Sequence, residues 1–255
     1  MRYIPLNNSV YKRNRSNFMN EMKGNSLAVF NSNDIYPVSA DSELPFEQHR
    51  DIFHLSGIDQ EETILLLYPP SKDDRTREIL FIRKSDNHTK VWEGEKLSKK
   101  QANELSGIDN IYYIEDFKAV LSSIATKVDT FYINKNEHYR ANSPVETRED
   151  RFISWLLKKY PAHNVAKSNP ILQRQRSIKH PHEIDQIKRA CEITRKGFNR
   201  VLKFIKPNIW EYEIEAEFIH EFINNSSKGF AYSPIIASGN DNNVLHYIKN
   251  NKQCK

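Results

Sequence analysis

Cysteine is nearly absent: Cys191 and Cys254 are the only two in 255 residues. A small secreted domain would carry more of them in matched spacing, so a disulfide framework is excluded. Cys191 lies in a helical pattern and is expected in a core, whereas Cys254 stands beside the last residue. Glycine is scarce too, at seven isolated residues. Neither a G-x-G-x-x-G turn nor a P-loop can be assembled from them, which removes the usual phosphate cradles. No G-x-S-x-G is present, so a hydrolase nucleophile elbow is excluded as well. No apolar run reaches the roughly 18 residues of a membrane-crossing helix. The stretch from Met1 to Tyr11 lacks an apolar core of signal-peptide length, and the expected compartment is therefore the cytoplasm. Asn-x-Ser/Thr triplets at Asn7, Asn14, Asn87 and Asn224 are chance matches in an Asn-rich chain.

The chain is 38% apolar and 11% aromatic, enough for one large core or two smaller ones. Its net charge of +5 comes from 38 basic and 33 acidic residues. The basic stretches, Arg174 to Lys179 and Lys249 to Lys255, are short and interrupted. They read as solvated faces, and no nucleic-acid partner is expected.

Strand-like and helix-like segments alternate in the first half. Ser26 to Phe30 is a short apolar run after a polar, helix-like stretch. Thr63 to Tyr68 and Glu78 to Ile82 are further apolar runs, joined by a loop over Ser71 to Arg77. Ile111 to Ile114 and Thr130 to Ile133 are aromatic and β-branched, hence strands. Ser98 to Leu105 and Asp116 to Thr126 have helical spacing. The alternation predicts an α/β (α+β) layered domain. A helix is expected over Val145 to Tyr160, with Pro144 setting its start, Pro161 its end, and Phe152, Ile153, Leu156 and Leu157 turned inward. The polar passage Ala162 to His180, interrupted by Pro170, is the expected boundary, giving domains 1–170 and 171–255.

Beyond it, Pro181 to Ile205 reads as an amphipathic helix, with Ile184, Ile187, Ala190, Cys191, Thr194, Phe198, Val201, Leu202 and Ile205 recurring every three or four residues. Glu211 to Asn224 reads as a second helix with Ile219, Phe222 and Ile223 toward the core. Gly229 to Gly239 looks like a strand. These elements are too few to cover their own apolar surface. Ile187, Phe198, Val201 and Ile235 are therefore expected at an open face.

Candidate metal motifs are thin. His220-Glu221 begins like a zinc-protease helix, but Asn224 stands where the second His would be. His180 and His182 flank a proline before a helix and read as an exposed turn. No paired Cys or His cluster offers a metal site.

Four separate stretches carry a more specific signal. Arg50, Asp51, Phe53, Leu55 and Gly57 match an "R-x-N/D-x-F-x-Y-L-x-G" pattern. Trp92-Glu93-Gly94 matches a "W-x-G" loop. Arg176, Lys179, Glu183 and Ile184 match "R-x-x-K-x-x-x-E-I". Ser233 to Gly239 with His246, Tyr247 and Asn250 matches "I-V-A-S-G-x-N … L-H-Y-x-x-N", the Asn placement beside Asp241 excepted. In this order and spacing, the chain resembles the Xaa-Pro aminopeptidase (aminopeptidase P) family.

The resemblance implies a creatinase/prolidase-type N-terminal domain with a mixed sheet, followed by the truncated start of a pita-bread metallopeptidase domain. It implies a hydrolase, a metal-dependent aminopeptidase, releasing the first residue of peptides with proline second. It implies two divalent ions, manganese by preference, held by two Asp, one His and two Glu. All five ligands would fall after Lys255, so no metal ligand is named here and the chain by itself is expected to be inactive. The substrate-binding residues it implies are His246, beside the scissile bond, and Trp92, a hydrophobic wall near a neighbouring subunit's site. A homo-oligomer, dimer or tetramer, is implied for the whole protein. Prolidase or another pita-bread hydrolase, and a non-enzymatic peptide-binding homologue, are the alternatives in the same fold.

Overall fold

Short runs of Val, Ile, Leu, Phe and Tyr bounded by turn residues become the strands of one mixed sheet. The computed structural model describes residues 3–138, 140 and 144–255. It divides between Ile178 and Lys179 into two units, with Tyr3 and Ile4 joining the second. In chain order the strands are β1 (Ser26–Asn31), β2 (Pro37–Ser39), β3 (Ser42–Glu43), β4 (Ile64–Leu67), β5 (Glu78–Ile82), β6 (Asn110–Tyr113), β7 (Thr130–Ile133) and β8 (Asn164–Lys167). The α-helices are α1 (Ser9–Glu21), α2 (Arg50–Ser56), α3 (Asp74–Arg77), α4 (Asn87–Trp92), α5 (Lys99–Ser106), α6 (Phe117–Ala125), α7 (Arg148–Lys159), α8 (Asn169–Ser177), α9 (Pro181–Phe204) and α10 (Glu211–Asn224).

The six-stranded sheet runs β6-β5-β4-β1-β7-β8, and β2 pairs with β3 apart from it. β4 is antiparallel to both of its neighbours, while β5 with β6, and β1 with β7 with β8, are parallel. β1 and β4 are buried along their whole length, which is why they read as continuous apolar runs. Alternate residues feed two cores. Ala28, Phe30, Leu65, Leu67, Leu80 and Ile82 pack with Phe18 of α1, Ile52 and Leu55 of α2, and Ile171 and Leu172 of α8. Leu27, Val29, Leu66, Phe81 and Phe131 pack with Leu121 of α6 and Phe152 and Leu156 of α7. The unit is thus a helix–sheet–helix sandwich, as the alternating sequence pattern predicts.

A polar stripe on α1 locks this arrangement. Asn14 and Arg15 are 1% and 0% exposed. Asn14 donates to the carbonyl of His54 at 2.9 Å. Arg15 donates to the carbonyls of Leu55 and Ser106 at 2.8 and 3.0 Å, and its Nε donates to Glu78 at 2.9 Å. Those carbonyls belong to the last turns of α2 and α5, where no intrahelical donor remains and the helix dipole is negative. Gly57 and Gly107 end the two helices in left-handed conformation, at φ 71° and 69°. A Cβ on Gly57 would sit 2.3 Å from the Tyr11 ring, so the chain turn and the docking of α1 both require glycine there.

Several boundaries differ from expectation. α7 starts at a Thr147–Asp150 capping box rather than at Pro144, because two reciprocal hydrogen bonds fix the first turn. Leu157 is 39% exposed, lying beside the buried stripe of Phe152, Ile153 and Leu156. The polar passage 162–180 holds β8 and α8. β8 is an edge strand with mostly exposed side chains, so it lacks an apolar signature. Pro170 occupies the first turn of α8, where a proline starts a helix instead of breaking it.

In the second unit, α9 and α10 pack through Gly197, where a Cβ would lie 2.9 Å from Phe218. Val201, Ile209, Ile214, Phe218 and Phe222 form its core. Val201 is therefore buried, contrary to expectation, while Ile187, Phe198 and Ile235 are 49%, 55% and 43% exposed. Cys191 is exposed rather than in a core. Ile219 and Ile223 face outward, because Ile214, Phe218 and Phe222 at four-residue steps take the inward face and the next position is rotated by about 100°. Gly229 to Gly239 has strand composition but no ladder partner among the described residues, and it runs as irregular chain.

Replacing Arg15 with Met should lower the unfolding free energy by about 2–4 kcal/mol, because two helix-end carbonyls and Glu78 lose their cation together. Arg174→Ala, which breaks an exposed pair with Glu21, should change it by less than about 0.5 kcal/mol. Urea unfolding of the two variants checks this; equal effects would sink the argument.

Candidate functional site

Three polar constellations stand out, each built by local sequence. The first surrounds Trp92. Asp86 caps α4 by accepting from the Thr89 amide at 2.7 Å. Past the helix, Glu93 takes a two-pronged pair of bonds from Arg83, both 2.7 Å. Lys96 reaches Glu61 at 2.7 Å and Glu93 at 3.0 Å, and Arg83 reaches Glu61 at 3.1 Å. The Arg83 hydrogen bonds hold the Glu93 carboxyl well below its ordinary value, down to about 2. Burial pushes the Glu61 carboxyl up, but the bonds from Lys96 and Arg83 outweigh it and the net shift is downward. This cluster ties the chain before and after α4, whose last two residues are bare: Val91 and Trp92 are 81% and 74% exposed. Trp92 is thus a displayed side chain, its ring tilted 31° against that of His88 at 6.0 Å between ring centres.

The second constellation lies at the carboxyl ends of the parallel strands β1, β7 and β8. Open α/β sheets hold ligands in such a crevice. Here the chain's own side chains fill it. Asn134 donates to Asp51 at 3.0 Å, Ser168 donates to Asn134 at 2.7 Å, and Asn31 donates to Glu149 at 2.7 Å. Arg176 closes the group on Asp51. Burial pushes the Glu149 carboxyl up and the neighbouring His49 imidazole down. His49 Nδ1 accepts from the Asp51 amide at the start of α2, which requires the neutral ring. The crevice is a structural plug, in keeping with the lack of any glycine-rich phosphate turn.

The third constellation presents His246. Glu211, the first residue of α10, is fully buried. Its Oε1 accepts from the Ser238 amide at 2.7 Å. Its Oε2 accepts from the Tyr247 hydroxyl at 2.6 Å and the Lys252 amide at 3.1 Å. Its own amide donates to the Lys252 carbonyl at 2.9 Å. Asn250, 3% exposed, donates to Glu215 at 2.8 Å and to the Pro234 carbonyl at 3.1 Å, and accepts from the Ile236 amide at 3.1 Å. One buried carboxylate and one buried amide thus pin the segment 234–238 and the segment 247–252. Leu245 and His246 remain exposed between the anchors. The bond to Glu211 raises the Tyr247 phenol above its ordinary value, keeping it the donor.

Of the matched motif, His246 is displayed while Tyr247 and Asn250 hold the loop. Trp92 belongs to the first unit and His246 to the second. Glu211 does not stand out in the sequence. An acid in the first turn of a helix was the available signal, but its partners lie 27 to 41 residues downstream.

The other candidates have local roles. His180 caps α9 by accepting from the His182 amide. Glu221 is engaged by Asn225 at 2.8 Å and by Arg200 at 3.9 Å. Among the described residues, no three His, Cys, Asp or Glu side chains converge as a metal site, and no helix is long and apolar enough to cross a membrane.

Residues 11–132 match the family "Aminopeptidase P, N-terminal domain", and residues 185–255 match "Metallopeptidase family M24". The second is a family of metal-dependent peptidases. The chain is 27% identical over 246 residues to the Xaa-Pro aminopeptidase of Escherichia coli strain K12, covering 94% of this chain and 54% of that one. It superposes on the low-pH form of aminopeptidase P from E. coli with a TM-score of 0.86 at 26% identity, covering 99% of this chain and 57% of that one. A zinc-substituted E. coli aminopeptidase P in complex with product gives 0.85 at 26% identity, with the same coverage. The chain therefore spans about half the length of the relatives it matches.

The charge cluster at Trp92 makes a pH prediction. A carboxyl depressed in the folded state adds stability above its unfolded value and loses it as the pH falls through the folded one. The window for Glu93 runs from 4.5 down to about 2. Amide exchange over residues 86–97, corrected for its intrinsic pH dependence, should accelerate across that window. Glu93→Gln should show the fast exchange already at neutral pH. A loop equally protected in both proteins would refute the clamp.

Proposed function

We propose, for a chain that belongs to the aminopeptidase P family, that the whole protein is a metal-dependent exopeptidase releasing the first residue of peptides whose second residue is proline. The observation that carries this reading is the clamp on residues 234–252, which leaves His246 displayed, beside Leu245, in the matched signature. An imidazole on a rigid loop can donate or accept a hydrogen bond near neutral pH, as a scissile amide and its neighbours require. Trp92, rigidly mounted and exposed, suits a hydrophobic wall against a proline-containing peptide. We assign residues 1–170 to the N-terminal domain and 171–255 to the start of the metallopeptidase domain.

Two divalent ions, manganese by the hardness of the carboxylate and imidazole ligands expected for them, would supply the activated water and polarise the carbonyl. The described residues do not fit them, since no three candidate ligands converge. We place the ligands outside these 255 residues and draw no step through the ions on this chain. A homo-oligomer, dimer or tetramer, is the assembly proposed for the whole protein, and the cytoplasm its compartment. Free cysteines suit a reducing environment.

The test is release of the first residue from a peptide with proline second. The whole protein should be active with manganese, and the 255-residue chain should not. His246→Ala in the whole protein should lower kcat by about 10- to 100-fold, since the bond matters most in the transition state. Trp92→Ala should act mainly on KM. Manganese-dependent release by the short chain would overturn the assignment of the ligands, and an unchanged kcat would remove His246 from the site.

A further inference from the structure

We infer that Glu211 and Tyr247 are positioning residues for His246, acting through the loop and not on the substrate; this rests on the function proposed above. The Tyr247 phenol is the nearest fixed point to the imidazole along the chain. Tyr247 is 7% exposed and its hydroxyl ends on Glu211. His246 itself is exposed, so the loop has little side-chain packing at that position. Its placement is set by the anchors on either side.

The anchor is unusually concentrated. A single carboxylate accepts from Ser238 ahead of the loop, and from Tyr247 and Lys252 within and after it. Its amide adds a fourth bond, to the Lys252 carbonyl. Glu211 is also in the first turn of α10, where the positive end of the helix dipole favours a buried negative charge. The carboxylate is therefore tied to a 14-residue helix, and the loop takes its position from the helix rather than from its own tip. Ile214, Phe218 and Phe222 seat that helix in the core of the second unit. The chain of support runs from core to helix to carboxylate to phenol to imidazole. Removing the phenol oxygen deletes one link and leaves the aromatic packing in place.

A misplacement of about 1 Å can cost a reaction as much as 100-fold in rate. In the manganese-loaded whole protein, Tyr247→Phe should lower kcat at least about tenfold while KM moves less than about twofold. Glu211→Gln, which sets an amide donor against the donors of Ser238, Tyr247 or Lys252, should do the same or more. A merely structural role would leave the two sites independent, so the decisive measurement is a double-mutant cycle. In the His246→Ala background, Tyr247→Phe should cause no further loss of kcat. Full additivity with His246→Ala, or an unchanged kcat in Tyr247→Phe, would overturn the inference. If the unaltered protein releases no residue at all, the proposed function is what fails. The positioning inference is then decided in the 255-residue chain by amide exchange. Tyr247→Phe should speed exchange over residues 244–250 about tenfold and leave α9 unchanged; equal protection of the loop in both chains would overturn it.

Discussion

Arg15 has no exposed surface, yet it carries a full charge into the centre of the first unit. Three elements depend on it: the C-terminal turn of α2, the C-terminal turn of α5, and the start of β5. Two helix ends point their unsatisfied carbonyls at one guanidinium, and a carboxylate completes the set. A buried cation without such partners would cost several kcal/mol, so the site tolerates no rearrangement of those helix ends. Gly57 and Gly107 follow from the same constraint. Both helices must turn away at once, and α1 must lie across the turns with Tyr11 and Lys12 against them. Because α2, α5 and β5 all contribute to one core of the sheet, the stripe of Asn14 and Arg15 fixes the layer on that side.

The second unit repeats the device with opposite charge. There the buried group is a carboxylate, Glu211, placed at a helix N-terminus and satisfied by N–H and O–H donors. In each case a buried charge meets a helix end, Arg15 the carbonyl ends of α2 and α5 and Glu211 the start of its own helix, and the surrounding loops inherit their positions. The consequence differs. Around Arg15 everything is covered, and the result is a scaffold. Around Glu211 the held segment ends in exposed Leu245 and His246, and the result is a displayed imidazole. The α4 segment of the first unit has the same logic at the surface, with Arg83, Lys96, Glu61 and Glu93 holding its flanks and the Trp92 indole left bare.

These arrangements give the aminopeptidase P signature a physical meaning position by position. Gly57 is conformational, and Asp51 belongs to the plugged crevice at the strand ends. Tyr247 and Asn250 are anchors. His246 and Trp92 are exposed, with Leu245 beside the first and Val91 beside the second. The exposed apolar side chains of α9, among them Phe198 and Leu202, show that the second unit buries only part of its hydrophobic surface within these 255 residues.

The sequence by itself determined β1, β4, β5, β6 and β7, since strands buried largely on both faces are runs of mostly apolar and aromatic residues. It also determined α5 and α6, through a Ser98 cap and helical spacing, and the family through motifs that keep their order. It did not determine β8 or α8. An edge strand buries little, and Pro170 reads the same in sequence whether it starts a helix or breaks one. It gave the wrong inward face for part of α10, because Ile219 and Ile223 are as apolar as Phe218, and only the packing against α9 chooses between them. Arg15 and Glu211 were invisible for a common reason. A charged residue is buried only when partners distant in the chain surround it, here 40 to 91 residues away for Arg15 and 27 to 41 for Glu211. Local pattern records what a residue prefers; the tertiary structure alone decides which charges find enough partners to leave water.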